Sequence, residues 1–273
     1  MKPIIYSAIF ATSSFALAPF AASDTYRNEI YATYSELDEV DEYSINLQGK
    51  HYFSAVDTTG LPLAEAAFLQ KSSSVTLAAS NNNYKSDNYE NDTYARSLNV
   101  NYFIPNSIFF VGAGVSQQKH NIHNFDGGDD AGVYDYSTDW GSNLNARIGV
   151  APIEGLQIWS DFYENSDISD YWNLSAKYVK PLSNERAVST EVYYSDNDYG
   201  PRTVIVSADY YFTHRFSVGV GAARFMYDGD YRDDTNSYHV RARHFVTENI
   251  SADLTYFSSD YSDSWMIGGT FRF

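Results

Sequence analysis

Six histidines and a large excess of carboxylates, 35 Asp+Glu against 18 Lys+Arg with no cysteine, are the residues that could do chemistry in this chain. A hydrolase built on a hydroxyl nucleophile needs a histidine at a strand end beside that nucleophile or a carboxylate. The histidines are His51, His120, His123, His214, His239 and His244. His214 falls in a short turn, and His244 falls on an apolar face near a turn. His239 shares a polar face with Arg241 and Arg243, which suits a wall better than a general base. No catalytic set emerges, so no enzyme is expected. Clustered acids could instead hold a divalent cation. His120, His123, Asp126, Asp129 and Asp130 share one stretch, and Asp228, Asp230, Asp233 and Asp234 another. Both read as hydrated acidic loops, so neither metal nor cofactor is expected. Gly112 and Gly114, and Gly219 and Gly221, are not phosphate loops. They fall on the small-residue face of alternating segments, where they leave space or permit curvature.

The elements that must position these charges are strands. Period-2 alternation runs almost from end to end. Trp140, Ser142, Leu144, Ala146, Ile148 and Val150 form one face of a segment, and Gly141, Asn143, Asn145, Arg147 and Gly149 the other. The same sorting recurs from Val204 to Phe212, from Phe216 to Ala222, from Tyr238 to Val246 and from Trp265 to Phe273. In the first half, strands are expected near 25–36, 42–54, 66–80, 93–104 and 108–118. Pro62, Pro105, Pro152, Pro181 and Pro201 fall between strands, where a missing N–H breaks no ladder. About fourteen strands of about 11 residues, a tilted spanning length, account for the chain, with twelve or sixteen as alternatives. Their connections alternate in kind. Short turns at 105–107, 151–155, 181–185, 213–215 and 247–249 take turns with longer acidic stretches at 80–92, 119–135, 165–170, 195–201, 228–236 and 258–263.

Composition narrows the class. A net charge of −17 argues against a nucleic-acid binder, zero cysteines against a disulfide scaffold, and 17% aromatics against disorder. Mean hydropathy of −0.40 excludes a helical membrane bundle. Met1-Lys2, the apolar run from Ile4 to Phe20 and Ala21-Ala22-Ser23 have the layout of a secretory signal peptide, giving domains of 1–23 (leader) and 24–273 (barrel). A soluble sandwich also alternates. Here the apolar face carries Val, Leu, Ile and Ala in mid-strand with aromatics toward the ends, as at the two interfaces of a membrane barrel. The expected fold is all-β, a transmembrane antiparallel up-and-down β-barrel in a bacterial outer membrane.

Two stretches resemble known families. The terminal strand Trp265-Met266-Ile267-Gly268-Gly269-Thr270-Phe271-Arg272-Phe273 resembles the C-terminal signature of bacterial outer-membrane proteins. That resemblance implies that Phe271 and Phe273 form a signal for the outer-membrane assembly machinery. Tyr52-Phe53-Ser54-Ala55-Val56, with Pro62-Leu63-Ala64-Glu65-Ala66-Ala67-Phe68-Leu69, is similar to a recurrent segment of gammaproteobacterial porins. It implies a porin but carries no pore residue over.

The polar face would line the lumen. Its charged positions are Lys50, Lys71, Arg147, Lys177, Arg241 and Arg243, with Asp161, Glu191, Asp209 and Asp253. Opposite charges on a pore wall tune ion selectivity. The expected function is a passive diffusion channel for small hydrophilic solutes and ions, surrounded by outer-membrane lipid and lipopolysaccharide. The alternative is an occluded structural or adhesive barrel with acidic surface loops, and the oligomeric state stays open.

Overall fold

A computed structural model of the chain describes residues 24–37, 41–86, 89–124, 134–165, 171–197, 201–227 and 233–273. The leader and Asp126, Asp129, Asp130, Asp228 and Asp230 lie outside the described residues. Among the described residues fifteen antiparallel strands join in one sheet. They are β1 (Thr25–Leu37), β2 (Asp41–Asp57), β3 (Ser74–Ser86), β4 (Tyr89–Phe103), β5 (Phe109–Asn124), β6 (Tyr134–Ser137), β7 (Gly141–Ile153) and β8 (Leu156–Asn165), then β9 (Tyr171–Pro181), β10 (Ala187–Asn197), β11 (Arg202–Thr213), β12 (Phe216–Met226), β13 (Thr235–Phe245), β14 (Ile250–Ser259) and β15 (Asp263–Arg272). Strand β6 is a short piece paired to the outer end of β5. Below it, β5 pairs with β7. The remaining 14 strands close into a barrel, sealed by β1 against β15. Closure satisfies every ladder internally, which lipid demands.

The alternation predicts the facing correctly. Leu77 is 62% exposed, Val220 56% and Ile267 60%, all on the outer face in mid-strand. Aromatics flank that apolar band. Phe53, Tyr102, Phe109 and Phe212 lie toward the short turns, and Phe162, Trp172, Tyr238 and Trp265 toward the other end. Such girdles mark the two interfaces of a membrane barrel. Left-handed backbone in the short turns falls on Asn106 (φ 57°), Gly155 (φ 74°), Asn184 (φ 60°) and Glu185 (φ 59°). Asn accepts that conformation more readily than other residues bearing a side chain.

Three expectations are corrected. The segment 66–80 is not one strand: Leu63–Glu65 forms a 3-10 turn, Ala66–Leu69 a short helix (α1), and β3 begins only at Ser74. Leu, Ala and Glu are strong helix formers, and here their intrinsic preference outweighs a weak alternation. The stretch 80–92 is not a loop throughout, because β3 and β4 stay paired out to Ser86 and Tyr89. β5 likewise runs on to Asn124, so His120 and His123 sit on a strand. Beyond the lipid both faces of a hairpin are wet, so no apolar alternation marks it in the sequence.

Candidate functional site: the lumen and its inner plug

The connection between β2 and β3 folds into the barrel rather than away from it. Val56, Leu63 and Ala66 are fully buried. Val56 and Ala66 pack with Tyr26 and Tyr52, and Leu61 and Ala67 lie against them. Inward residues of other strands at the same end, Phe110, Ala151, Val179, Ala187, Tyr211 and Phe245, are also buried. The turn end of the barrel therefore holds a small hydrophobic core, and the segment 58–73 forms a plug within it.

Polar contacts hold this plug across the lumen. Glu65 Oε2 lies 2.9 Å from Lys177 Nζ on β9. Its Oε1 accepts a hydrogen bond of 2.8 Å from the Tyr211 hydroxyl on β11. Gln157 Nε2 on β8 donates to Phe68 O at 2.8 Å. Arg272 Nη1 on β15 donates to Leu63 O at 2.8 Å. The Leu63 N–H donates to His214 O at 2.9 Å. The Arg272 guanidinium also pairs with Glu29 at 2.8 Å and lies between the rings of Tyr26 and Phe245. The penultimate residue thereby ties the barrel seam to the plug.

Strand alternation places Lys50, Arg147, Asp161, Lys177, Glu191, Asp209, Arg241, Arg243 and Asp253 on the inner face. Lys71 differs. It lies in the plug rather than on a strand, turns the chain at φ 53°, and points its ammonium at Ala151 O, 3.4 Å away. Four of the inner cations, Arg147, Lys177, Arg241 and Arg243, are matched by carboxylates, whereas Lys50 and Glu191 form no ion pair among the described residues. Arg147 pairs with Asp161 through two bonds of 2.6 and 3.0 Å. Arg243 pairs with Asp253 directly across β13 and β14. Arg241 pairs with Asp209 although β12 stands between them. Gly219 makes that reach possible: it lies opposite both residues, and a Cβ there would be 2.1 Å from Asp209 Oδ1. The same device operates at Gly114, across which Asn145 donates to Asn99 at 3.1 Å. These glycines clear space for side chains lying along the wall.

The lumen is uneven in chemistry. From β2 to β5 the inner face is mostly amide and hydroxyl, with Asn46, Gln48, Thr76, Asn99 and Ser116. From β7 to β15 it carries the ion pairs. Lys177, Glu191, Asp209, Arg241, Arg243 and Asp253 converge on a single cavity of about 160 Å³, roofed by Ala64 and Glu65 of the plug. Arg147 and Asp161 stand apart from it. Among the described residues, no group of three or more His, Asp or Glu is arranged to hold a metal ion.

Glu65, Tyr211, Glu29 and Arg272 escape sequence reading. Glu65 and Arg272 sit in the two motifs with family resemblance, but alternation gives no hint that a turn segment folds inward to meet them.

No curated protein matches the sequence. The outer membrane protein Omp33 of Acinetobacter baumannii has a similar structure, with a TM-score of 0.67, 19% identity, and coverage of 92% of this chain and 99% of that one. A FadL homologue of Pseudomonas aeruginosa matches with a TM-score of 0.58 and 8% identity, covering 91% of this chain and 90% of the other. The monoaromatic hydrocarbon channel CymD matches with a TM-score of 0.56 and 9% identity, over 91% and 88%. At these identities the likeness establishes the barrel fold. A family described as "Putative general bacterial porin" matches residues 1–273, so the chain belongs to that porin family and is an outer-membrane β-barrel channel.

Proposed function

We propose that this channel passes small hydrophilic solutes and ions by diffusion, and that the plug governs passage at the turn end. The supporting observation is the lumen itself: a polar, charge-paired interior continues down to a plug held by a few polar contacts. Lys50, Arg147, Asp161, Lys177, Glu191, Asp209, Arg241, Arg243 and Asp253 act as wall residues, and Lys71 acts as part of the plug. The turn end faces the periplasm and the longer loops face outward, where lipopolysaccharide surrounds them. The assembly machinery reads Phe271 and Phe273.

No step requires a cofactor. Solute enters the acidic loop end, meets the amide face and the ion-paired face, and leaves once the plug yields. Local pairing cancels most of the wall charges, leaving Lys50 and Glu191 as the unpaired ones, while the loop carboxylates enrich cations at the mouth. A second reading, an occluded structural barrel, draws support from the buried core at the turn end. Single-channel recording in planar bilayers separates the two. Discrete conductance steps support the channel with a movable plug. No conductance in wild type, and none after the plug's polar contacts are removed, supports the occluded barrel.

A further inference from the structure

We propose that the cavity beneath the plug is a binding site for small α-amino acids. The inference deepens the channel reading: it names a solute class for the same lumen. Binding itself, however, does not depend on the plug opening.

The cavity is lined by Lys177, Glu191, Asp209, Arg241, Arg243 and Asp253. Its charges are not equally occupied. Asp209 and Asp253 are held by Arg241 and Arg243. Lys177 stands directly opposite Glu191 across β9 and β10, yet its ammonium is taken by Glu65 of the plug. Among the described residues Glu191 forms no ion pair. It faces the cavity as an available carboxylate, suited to an ammonium group.

The arginines supply the complementary pole. A guanidinium has five N–H donors. Arg241 spends two on Asp209, and Arg243 engages Asp253 through Nε and also hydrogen-bonds the Tyr31 hydroxyl. Donors therefore remain for a ligand carboxylate without any existing pair being broken. A lone anion would gain those donors but would sit among carboxylates. A lone cation would satisfy Glu191 but leave the arginine donors unused. A molecule bearing both groups satisfies both poles and leaves no buried charge unmatched. Size agrees: a cavity of about 150 Å³ accommodates benzene, which has the same number of non-hydrogen atoms as alanine. The hydroxyls of Tyr31, Ser217 and Thr255 add neutral donors and acceptors around it.

The test uses the full-length folded barrel in detergent and three small molecules built on the same branched carbon. L-alanine carries both groups, isopropylamine lacks the carboxylate, and isobutyrate lacks the amine. Equilibrium dialysis of each radiolabelled compound should show alanine retained about tenfold or more better than either analogue. Glu191→Gln should reduce alanine retention by a similar factor, with folding checked by heat-modifiable migration. The paired variant Arg243→Gln/Asp253→Asn should weaken alanine and isobutyrate while sparing isopropylamine. Isopropylamine binding as tightly as alanine, or alanine retention unchanged in Glu191→Gln, overturns the proposal. KCl conductance of the same preparation keeps the two readings apart. Conductance without discrimination among the three compounds removes the site and leaves the channel. Alanine binding without conductance keeps the site and removes the diffusion reading.

Discussion

Replacing Glu65 by alanine is the sharpest perturbation of the plug. The substitution leaves the Lys177 ammonium and the Tyr211 hydroxyl without their partner. Removing one member of a buried ion pair costs about 3–5 kcal/mol. The penalty is smaller here, because the Lys177 side chain is 21% exposed and can turn toward Glu191 opposite it. Tyr211, 3% exposed, has no such escape, and an orphaned buried hydroxyl costs about 1–3 kcal/mol. These terms are not additive, since both groups share one carboxylate. A net loss of about 2–3 kcal/mol in the seated state is expected. At about 1.4 kcal/mol per tenfold, that raises the ratio of unseated to seated plug roughly 30- to 140-fold. The remaining contacts, Leu63 in its apolar seat and Arg272 on Leu63 O, still favour reclosure. The variant should therefore open more often rather than stay open. Single-channel recording measures this as increased open probability with an unchanged number of conductance levels. Glu65→Gln, which retains a hydrogen-bond acceptor for Tyr211, should show a smaller increase. An unchanged open probability in correctly folded Glu65→Ala would refute the argument that this carboxylate secures the plug.

Further outcomes follow from the wall, the seam and the loop end. Arg241→Gln with Arg243→Gln leaves Asp209 and Asp253 without countercharge, so reversal potentials should shift toward stronger cation preference. The shift should persist at salt where the loop carboxylates are screened, the Debye length being about 10 Å at 0.1 M. Gly219→Ala places a Cβ against the Asp209 carboxylate and should separate it from Arg241; it should shift the reversal potential by less than the double variant, since both charges remain. Deleting Phe273 removes the carbonyl that accepts from the Arg27 and Asn28 N–H groups and the amide that donates to Asn28 O, so the heat-modifiable folded fraction in membranes should fall. Cysteine at Tyr261, in the β14–β15 connection, should react with an impermeant reagent on intact cells, whereas cysteine at Ser183 should not. At the loop end, the Arg224 guanidinium and the Tyr227 N–H hold the Asp234 carboxyl below its ordinary value of 3.8. That contact's contribution is present above the ordinary value and is lost as pH falls through the lowered one. Protection of the Tyr227 N–H, measured against its intrinsic exchange rate, should accordingly fall only in strong acid, whereas in Asp234→Ala it should be reduced at every pH.

The sequence by itself determined the barrel. A period of two requires alternate residues to face opposite solvents, so Val220 and Ile267 announced the lipid face and Arg147, Arg241 and Asp253 the lumen before any strand was placed. The short turns at 105–107 and 181–185 were likewise legible as breaks between strands. The plug is different. Alternation reads Ala66–Leu69 as the start of a strand, and neither its short helix nor the direction in which the turn segment folds is legible from it. That depends on Tyr26, Tyr52, Tyr211 and Phe245, which come from strands far apart in the chain and meet only when the seam closes. Pairing across three strands, as between Asp209 and Arg241, is equally invisible, since it rests on the register that brings Gly219 between them. Alternation specifies which side a residue faces. Which residue it meets on that side is decided by strand order, register and closure, and these are properties of the whole barrel.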